Sequence, residues 1–160
     1  MPRVFLGLGS NIGDGAGIIR GAFLELSRTL VGASLSRLWR SRAMYREDQP
    51  DFVNAAVAGE TTLSPRGLLA TVNAIESDFG RDRSRELPKG PRTLDIDILL
   101  YGSLVLREAD LTIPHAGLKE RRFALMPLLD LDAGLLDPLS GEAYSRIAEA
   151  LPPQGIYLLE

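Results

Sequence analysis

Asp95 and Asp97 stand two residues apart in the stretch KGPRTLDIDILL at 89–100, alternating with Leu94, Ile96 and Ile98. A period of two reads as a β-strand. Residues i and i+2 of a strand point the same way, roughly 6–7 Å apart. Two carboxylates therefore share one face of an otherwise apolar strand. Unpaired, they repel each other and resist burial. A divalent cation relieves both effects. An oxygen-only donor set suits Mg²⁺ or Mn²⁺, ions that also hold substrate phosphates. Just upstream, RDRSRELPKGPR at 81–92 carries five cations and two anions, a local net charge of +3. Arg81, Arg83, Arg85 and Arg92, spaced around Gly90 and Pro91, suit a segment that folds over an anion and forks to its oxygens. An acidic strand beside a basic loop points to chemistry on a polyphosphate.

Each feature has a plainer alternative. Paired acids on a strand can be a solvated face, and single arginines are usually surface. Leu99, Leu100 and the apolar alternation argue for a central strand, and with the basic loop alongside, the metal site is the preferred reading. Gly7, Gly9, Gly13, Gly15 and Gly17 invite a phosphate loop, but no Gly-Lys-Ser/Thr ending follows, so a tight strand-to-helix turn is preferred. His115 after Pro114 is either a phosphate or leaving-group contact or a structural histidine. Phe52 and Phe123 read first as core. With Asn54 and the pair Arg121 and Arg122 beside them, a planar ligand stacked between two rings is the alternative.

The elements that must position these residues follow from pattern. Residues 4–8 read as a buried strand, 9–15 as a turn, and 17–30 as a helix with apolar residues at Ile18, Ile19, Ala22, Phe23 and Leu26. A second strand is predicted at 34–41, an exposed loop at 41–50, and a third strand from Phe52. Ser64 caps a helix with Pro65 at its first position, and Gly80 ends it. The Asp95/Asp97 strand completes a β-α-β-β-α-β order. That order predicts an α+β, ferredoxin-like core with both helices on one face of the sheet, followed by additional C-terminal strands and helices. Those are strands near Leu104 and Leu111, a helix at 122–131 interrupted by Pro127, and a last helix at 143–151.

Composition limits the function classes. The 160 residues, 45% of them hydrophobic, suit one domain over 1–160. A net charge of −3 does not favour a nucleic-acid partner. Without cysteine there is no disulfide, thiolate metal site or cysteine nucleophile, and a single histidine excludes a multi-histidine zinc site within one chain. No apolar run reaches membrane-spanning length and no secretory pattern is present, so a cytoplasmic, monomeric protein is expected.

Four motifs, FLGLGSNIGD at 5–14, DQPDFVNAA at 48–56, GPRTLDIDIL at 90–99 and TIPH at 112–115, together resemble 6-hydroxymethyl-7,8-dihydropterin pyrophosphokinase of folate biosynthesis. The resemblance runs in order over nearly the whole chain, and the GPRTLDID block is its most specific part. It implies transfer of the terminal diphosphate of ATP to the hydroxymethyl group of a reduced pterin, with release of AMP. It further implies that Asp95 and Asp97 hold two Mg²⁺ ions and that Arg83 and Arg92 act in catalysis. Asn54 would hydrogen-bond the pterin, Phe52 and Phe123 would stack on it, and Ser41 and Met44 would line its pocket. Arg81, Arg83, Arg92, His115 and Arg121 would contact phosphates, and Asn73, Glu76, Ile98 and Thr112 would lie near the nucleotide. Three positions depart from the family pattern: Phe52 where tyrosine is common, Lys89 where an aromatic can stand, and Ala116 where tyrosine is frequent. The segment 81–91 is expected to be mobile until ligands order it. A nucleic-acid-binding module and a metal-dependent nucleotide hydrolase are the rival classes.

Overall fold

The computed structural model describes residues 1–43, 48–81 and 93–159. Met44, Arg83, Arg85, Lys89 and Arg92 lie outside the described residues, as does the expected mobile segment beyond Arg81. In chain order the elements are β1 (Arg3–Ser10), α1 (Gly15–Ser27), β2 (Val31–Leu35), β3 (Trp39–Ser41), β4 (Phe52–Glu60), α2 (Pro65–Asp78) and β5 (Asp95–Tyr101). Then follow β6 (Leu106–Glu108), β7 (Leu111–Ile113), a 3₁₀ turn (Leu118–Glu120), α3 (Arg122–Leu131), α4 (Tyr144–Ala150) and β8 (Ile156–Leu158). Helix starts follow local chemistry. The Asp14 carboxylate accepts from the Gly17 amide at 3.1 Å to cap α1, and Ser64 Oγ accepts from Gly67 at 3.1 Å to cap α2. Gly80, in the left-handed region, stands just past α2.

The main sheet runs β5-β1-β4-β3-β8, with β2 also paired to β4, and every pairing is antiparallel. On one face Val4, Leu6, Leu8, Ala55, Val57, Ile96 and Ile98 pack with Ile19, Ala22 and Leu26 of α1 and Leu68, Val72 and Ile75 of α2. On the other, Phe5, Ala58 and Leu99 pack with Leu125 and Leu128 of α3 and Tyr144 and Ala148 of α4. The result is a mixed helix and sheet architecture in three layers.

The structure corrects several sequence readings. The strand predicted at 34–41 is two strands. Ser36 N–H donates to the Ala56 carbonyl at 2.9 Å, and its hydroxyl, not its carbonyl, accepts from the Ala56 N–H at 2.8 Å. The chain then carries an extra residue before Trp39 pairs with Asn54, a bulge-like break. β5 is not central: it stands at the edge of the sheet order. Its free side is covered by the segment after β7, where the His115 amide donates to the Leu99 carbonyl at 3.0 Å. α3 runs through Pro127 without interruption, because burial of Leu125, Pro127 and Leu128 outweighs one lost helix hydrogen bond. The strand expected near Leu104 is paired only from Leu106. β8, which the sequence reading did not contain, pairs with β3.

Candidate active site

Alternation along three neighbouring strands builds the site. On β1, Phe5, Gly7 and Gly9 face α3 and α4. Register places Gly7 opposite Ala56 and Asp97, and Gly9 opposite Asn54 and Asp95. Phe5, with Ala58 and Leu99, is sealed by the helices. The end carrying Gly7, Gly9, Asn54, Asp95 and Asp97 opens into a chamber of about 340 Å³. Glycine makes its floor low. A Cβ on Gly7 would lie 3.3 Å from Leu99 Cδ1, and one on Gly9 would meet Asn54 Oδ1 and Phe52 Cδ1 at 3.6 Å.

The chamber brings together Ser41, Phe52, Asn54, Arg81, Asp95, Asp97, His115, Arg121 and Phe123, nine of the residues singled out from sequence. Ser41 and Asn54 are buried, and Asn54 Nδ2 donates to Ser41 Oγ at 2.7 Å. That bond fixes the amide's orientation at one edge of the chamber. Phe52 and Phe123 come from β4 and α3, and the Arg121 guanidinium lies 5.7 Å from the Phe123 ring centre.

At the acidic edge, Asp95 and Asp97 side chains keep 26% and 34% exposure, enough to reach a bound group. Arg81 Nη1 donates to Asp95 Oδ1 at 2.9 Å and to Glu76 Oε2 at 2.6 Å. Glu76, 1% exposed, also accepts from the Ile96 amide at 2.8 Å. It thus holds both Arg81 and the backbone between the two aspartates. Burial, reinforced by the Arg121 charge and opposed by Asp95, holds the His115 pKa below its ordinary value. The ring is therefore neutral around pH 7, and its Nε2, 3.7 Å from Asp97 Oδ1, is no ion-pair partner there. The Gly117 amide donates to Nδ1 at 3.1 Å, which places the proton on Nε2, on the chamber side.

Two carboxylates offer only oxygen, the donor chemistry of Mg²⁺. No group of three or more His, Cys, Asp or Glu that could hold a metal occurs among the described residues. The pair thus fits a cation that takes its remaining ligands from phosphate and water. Other implied positions lie apart from the chamber lining. Asn73 is exposed on α2, the Ile98 side chain faces the α1/α2 core, and Thr112 is half-buried on β7. Arg42 and Gln49 line the chamber and were not singled out from sequence. Asn11 Nδ2 donates to Gln49 Oε1 at 2.9 Å and to the Pro50 carbonyl at 3.0 Å, tying the glycine-rich turn to the DQPDFVN segment. Asn11 and Gln49 lie inside motifs legible in the sequence; the cross-link between them was not.

A model of the 7,8-dihydro-6-hydroxymethylpterin-pyrophosphokinase (HPPK) family matches residues 5–133. The chain is 39% identical over 162 residues to a protein of Methylorubrum extorquens named 2-amino-4-hydroxy-6-hydroxymethyldihydropteridine pyrophosphokinase, with 100% of each covered. It is 41% identical over 147 residues to a Synechocystis protein of the same name, covering 90% of this chain and 73% of the relative. Folic acid synthesis protein fol1 of Schizosaccharomyces pombe is 40% identical over 157 residues, 96% of this chain but 21% of the relative. The fold is similar to that of a Plasmodium falciparum HPPK-DHPS triple mutant, with TM-score 0.73 at 15% identity, over 92% of this chain and 44% of that one.

Proposed function

The chain belongs to the 7,8-dihydro-6-hydroxymethylpterin-pyrophosphokinase family and is an ATP-dependent pyrophosphokinase of folate biosynthesis, and we propose that the open chamber is where the transfer takes place. In this reading the pterin hydroxymethyl oxygen releases its proton and forms a bond to the β-phosphorus of ATP. The bond from that phosphorus to the α-phosphate oxygen breaks, and AMP leaves. The carrying observation is that one chamber gathers an aromatic and amide edge, Phe52, Asn54 and Ser41 from the sheet with Phe123 from α3, beside an acidic pair, Asp95 and Asp97.

The division of labour follows from chemistry. Phe52 and Phe123 take the faces of the pterin, and Asn54, held by Ser41, reads its edge. Asp95 and Asp97 would hold Mg²⁺, two ions in this reading. Bound there, the metal neutralises phosphate charge and acts as a Lewis acid. Arg81, His115 and Arg121, with Arg83 and Arg92, hold phosphate oxygens and stabilise charge as it develops. Glu76 keeps Arg81 beside Asp95. The family resemblance would add Met44 to the pterin pocket and Asn73, Glu76, Ile98 and Thr112 to the nucleotide's surroundings, although none of these last four lines the chamber. With the two partners aligned, little covalent chemistry is left to the protein.

The core reads as ferredoxin-like, supported by the order β5-β1-β4 with β2 and β3 beside β4, and by α1 and α2 on one face. We read residues 1–160 as one domain acting as a cytoplasmic monomer; no described helix is long and apolar enough to cross a membrane. The test is incubation with ATP, Mg²⁺ and 6-hydroxymethyl-7,8-dihydropterin. AMP and pterin diphosphate are expected only when all three are present. Nucleotide breakdown at the same rate without pterin would make the protein a hydrolase.

A further inference from the structure

Three consecutive residues near the C-terminus touch both walls of the ring-binding end of the chamber. The Arg122 amide donates to Gln154 Oε1 at 2.8 Å, and Gln154 Nε2 donates to the Glu120 carbonyl at 2.9 Å. Arg122 opens α3, a helix that no preceding side chain caps. First-turn amides have no acceptor inside their own helix. A carboxamide joins an acceptor and a donor in one planar group. Gln154 therefore caps α3 from 32 residues away and ties down the turn before it.

The next two residues grip the opposite wall. The Gly155 carbonyl accepts from the Arg42 amide at 3.3 Å, and Ile156 pairs with Ser41. Gly155 has φ +64°, and a Cβ there would lie 3.2 Å from Arg42 Cδ. Ser41 in turn holds Asn54. The segment thus joins the Ser41–Asn54 edge to the start of α3, from which Phe123 projects into the chamber.

We infer that Gln154 is a positioning residue for the pterin site, setting the start of α3 so that Phe123 stands at a fixed distance from Asn54. The inference rests on reading Phe52, Phe123 and Asn54 as the ring subsite. Gln154 lies beyond residues 5–133, the part matched by the family model. Losing the clamp lets Phe123 drift, which weakens ring stacking; Arg121, between the two clamped groups, loosens with it, while Arg81 and the Asp95–Asp97 edge keep their own partners.

Calorimetry on Gln154→Ala with the pterin and with a non-hydrolysable ATP analogue tests this. Pterin affinity is expected to fall roughly tenfold, the scale of two hydrogen bonds. Pterin KM rises in parallel, and ATP-analogue affinity falls by clearly less, because Arg121 alone of the phosphate contacts adjoins the clamp. Amide exchange at Arg122 and Phe123 quickens. Gln154→Glu keeps the acceptor and loses the donor, so it lies between wild type and Gln154→Ala, and it carries the test if the alanine variant does not fold. Tyr157→Ser, an exposed change on β8 three residues further on, leaves all of these unchanged. If Phe123→Ala loses pterin affinity while the Gln154 variants keep it, the positioning role is wrong and the subsite reading stands. If Phe123→Ala keeps it as well, both fall. Equal losses in Tyr157→Ser and Gln154→Ala would show general loosening of β8 and overturn the role of Gln154.

Discussion

At one end of the inner sheet face, Phe5, Ala58 and Leu99 lie under Leu118, Leu125, Leu128 and Tyr144. A few residues along the same strands, Gly7, Gly9, Asn54, Asp95 and Asp97 face an open chamber. Strands and register are shared, so backbone geometry does not distinguish the two ends. Side-chain size and polarity do. At the sealed end bulky apolar groups meet two helices and hold them. At the open end glycines lower the floor, and α3 begins only at its rim. One sheet face therefore divides into a part that stabilises and a part that binds.

Substitutions can break that division, and the largest effect belongs to the acidic pair. Asp95→Asn or Asp97→Asn is expected to lower AMP formation by more than the roughly 10–100-fold that loss of a metal's outer-shell partner brings. Thermal unfolding should show the fold retained. A loss of only a few-fold at saturating Mg²⁺ would remove the metal assignment.

At the sealed end the expected outcome reverses. Leu125→Ala should cost about 2–5 kcal/mol of stability in denaturant unfolding. The protein that remains folded should keep its pterin affinity, and a specific loss of binding would show that the two ends are coupled.

Intermediate effects belong to the ring subsite. Asn54→Ala and Phe123→Ala should each weaken pterin binding by roughly 1–3 kcal/mol and spare an ATP analogue, as calorimetry can show. Gly9→Ala sharpens the comparison further. Its methyl meets Asn54 and Phe52 at ordinary contact distance, so it fills the chamber without straining the sheet. A several-fold rise in pterin KM with unchanged melting is expected.

The smallest effect at neutral pH concerns Asp137, which braces the connection above the sealed end. Its carboxylate, 1% exposed, accepts from Lys119 Nζ at 2.6 Å, Ser140 Oγ at 2.7 Å and Tyr144 OH at 3.2 Å. Burial pushes the Asp137 carboxyl up, but Lys119, the Ser140 hydroxyl and the Leu139 and Ser140 amides together pull it below the ordinary carboxylate range. The same burial, with the neighbouring carboxylate, pushes the Tyr144 phenol up. A carboxyl lowered by folding adds stability above its unfolded value, about 3.9, and that stability fades as pH falls through it. Asp137→Asn should therefore be less stable than wild type at pH 7 and show a flatter loss below about pH 4. Parallel acid-unfolding curves would refute this.

Much of the site was legible because strand alternation is local. The spacing of Asp95 and Asp97 put both acids on one face before any neighbour was known, and their register with Gly7 and Gly9 bears this out. Ser64 and Pro65 announced α2 through chemistry confined to one turn. The break between β2 and β3 was not legible, because it depends on a Ser36 hydroxyl meeting the Ala56 amide across the sheet. The edge position of β5 was hidden as well. His115 and β7 bury its open side, so its composition looks like that of a central strand.

By itself, the sequence determined the types and local directions of the chemical groups: carboxylates two apart, a basic stretch, aromatics beside an amide, and the helices that cover one face. Tertiary structure alone decided which groups meet. The Glu76–Arg81–Asp95 chain, the Ser41–Asn54 pair and the Gln154 clamp join residues 5, 14, 13 and 32 positions apart. Alternation and capping act within a few residues and leave a periodic trace. A contact between distant segments leaves none, because one polar side chain among loop residues looks the same whether it caps a helix or faces water.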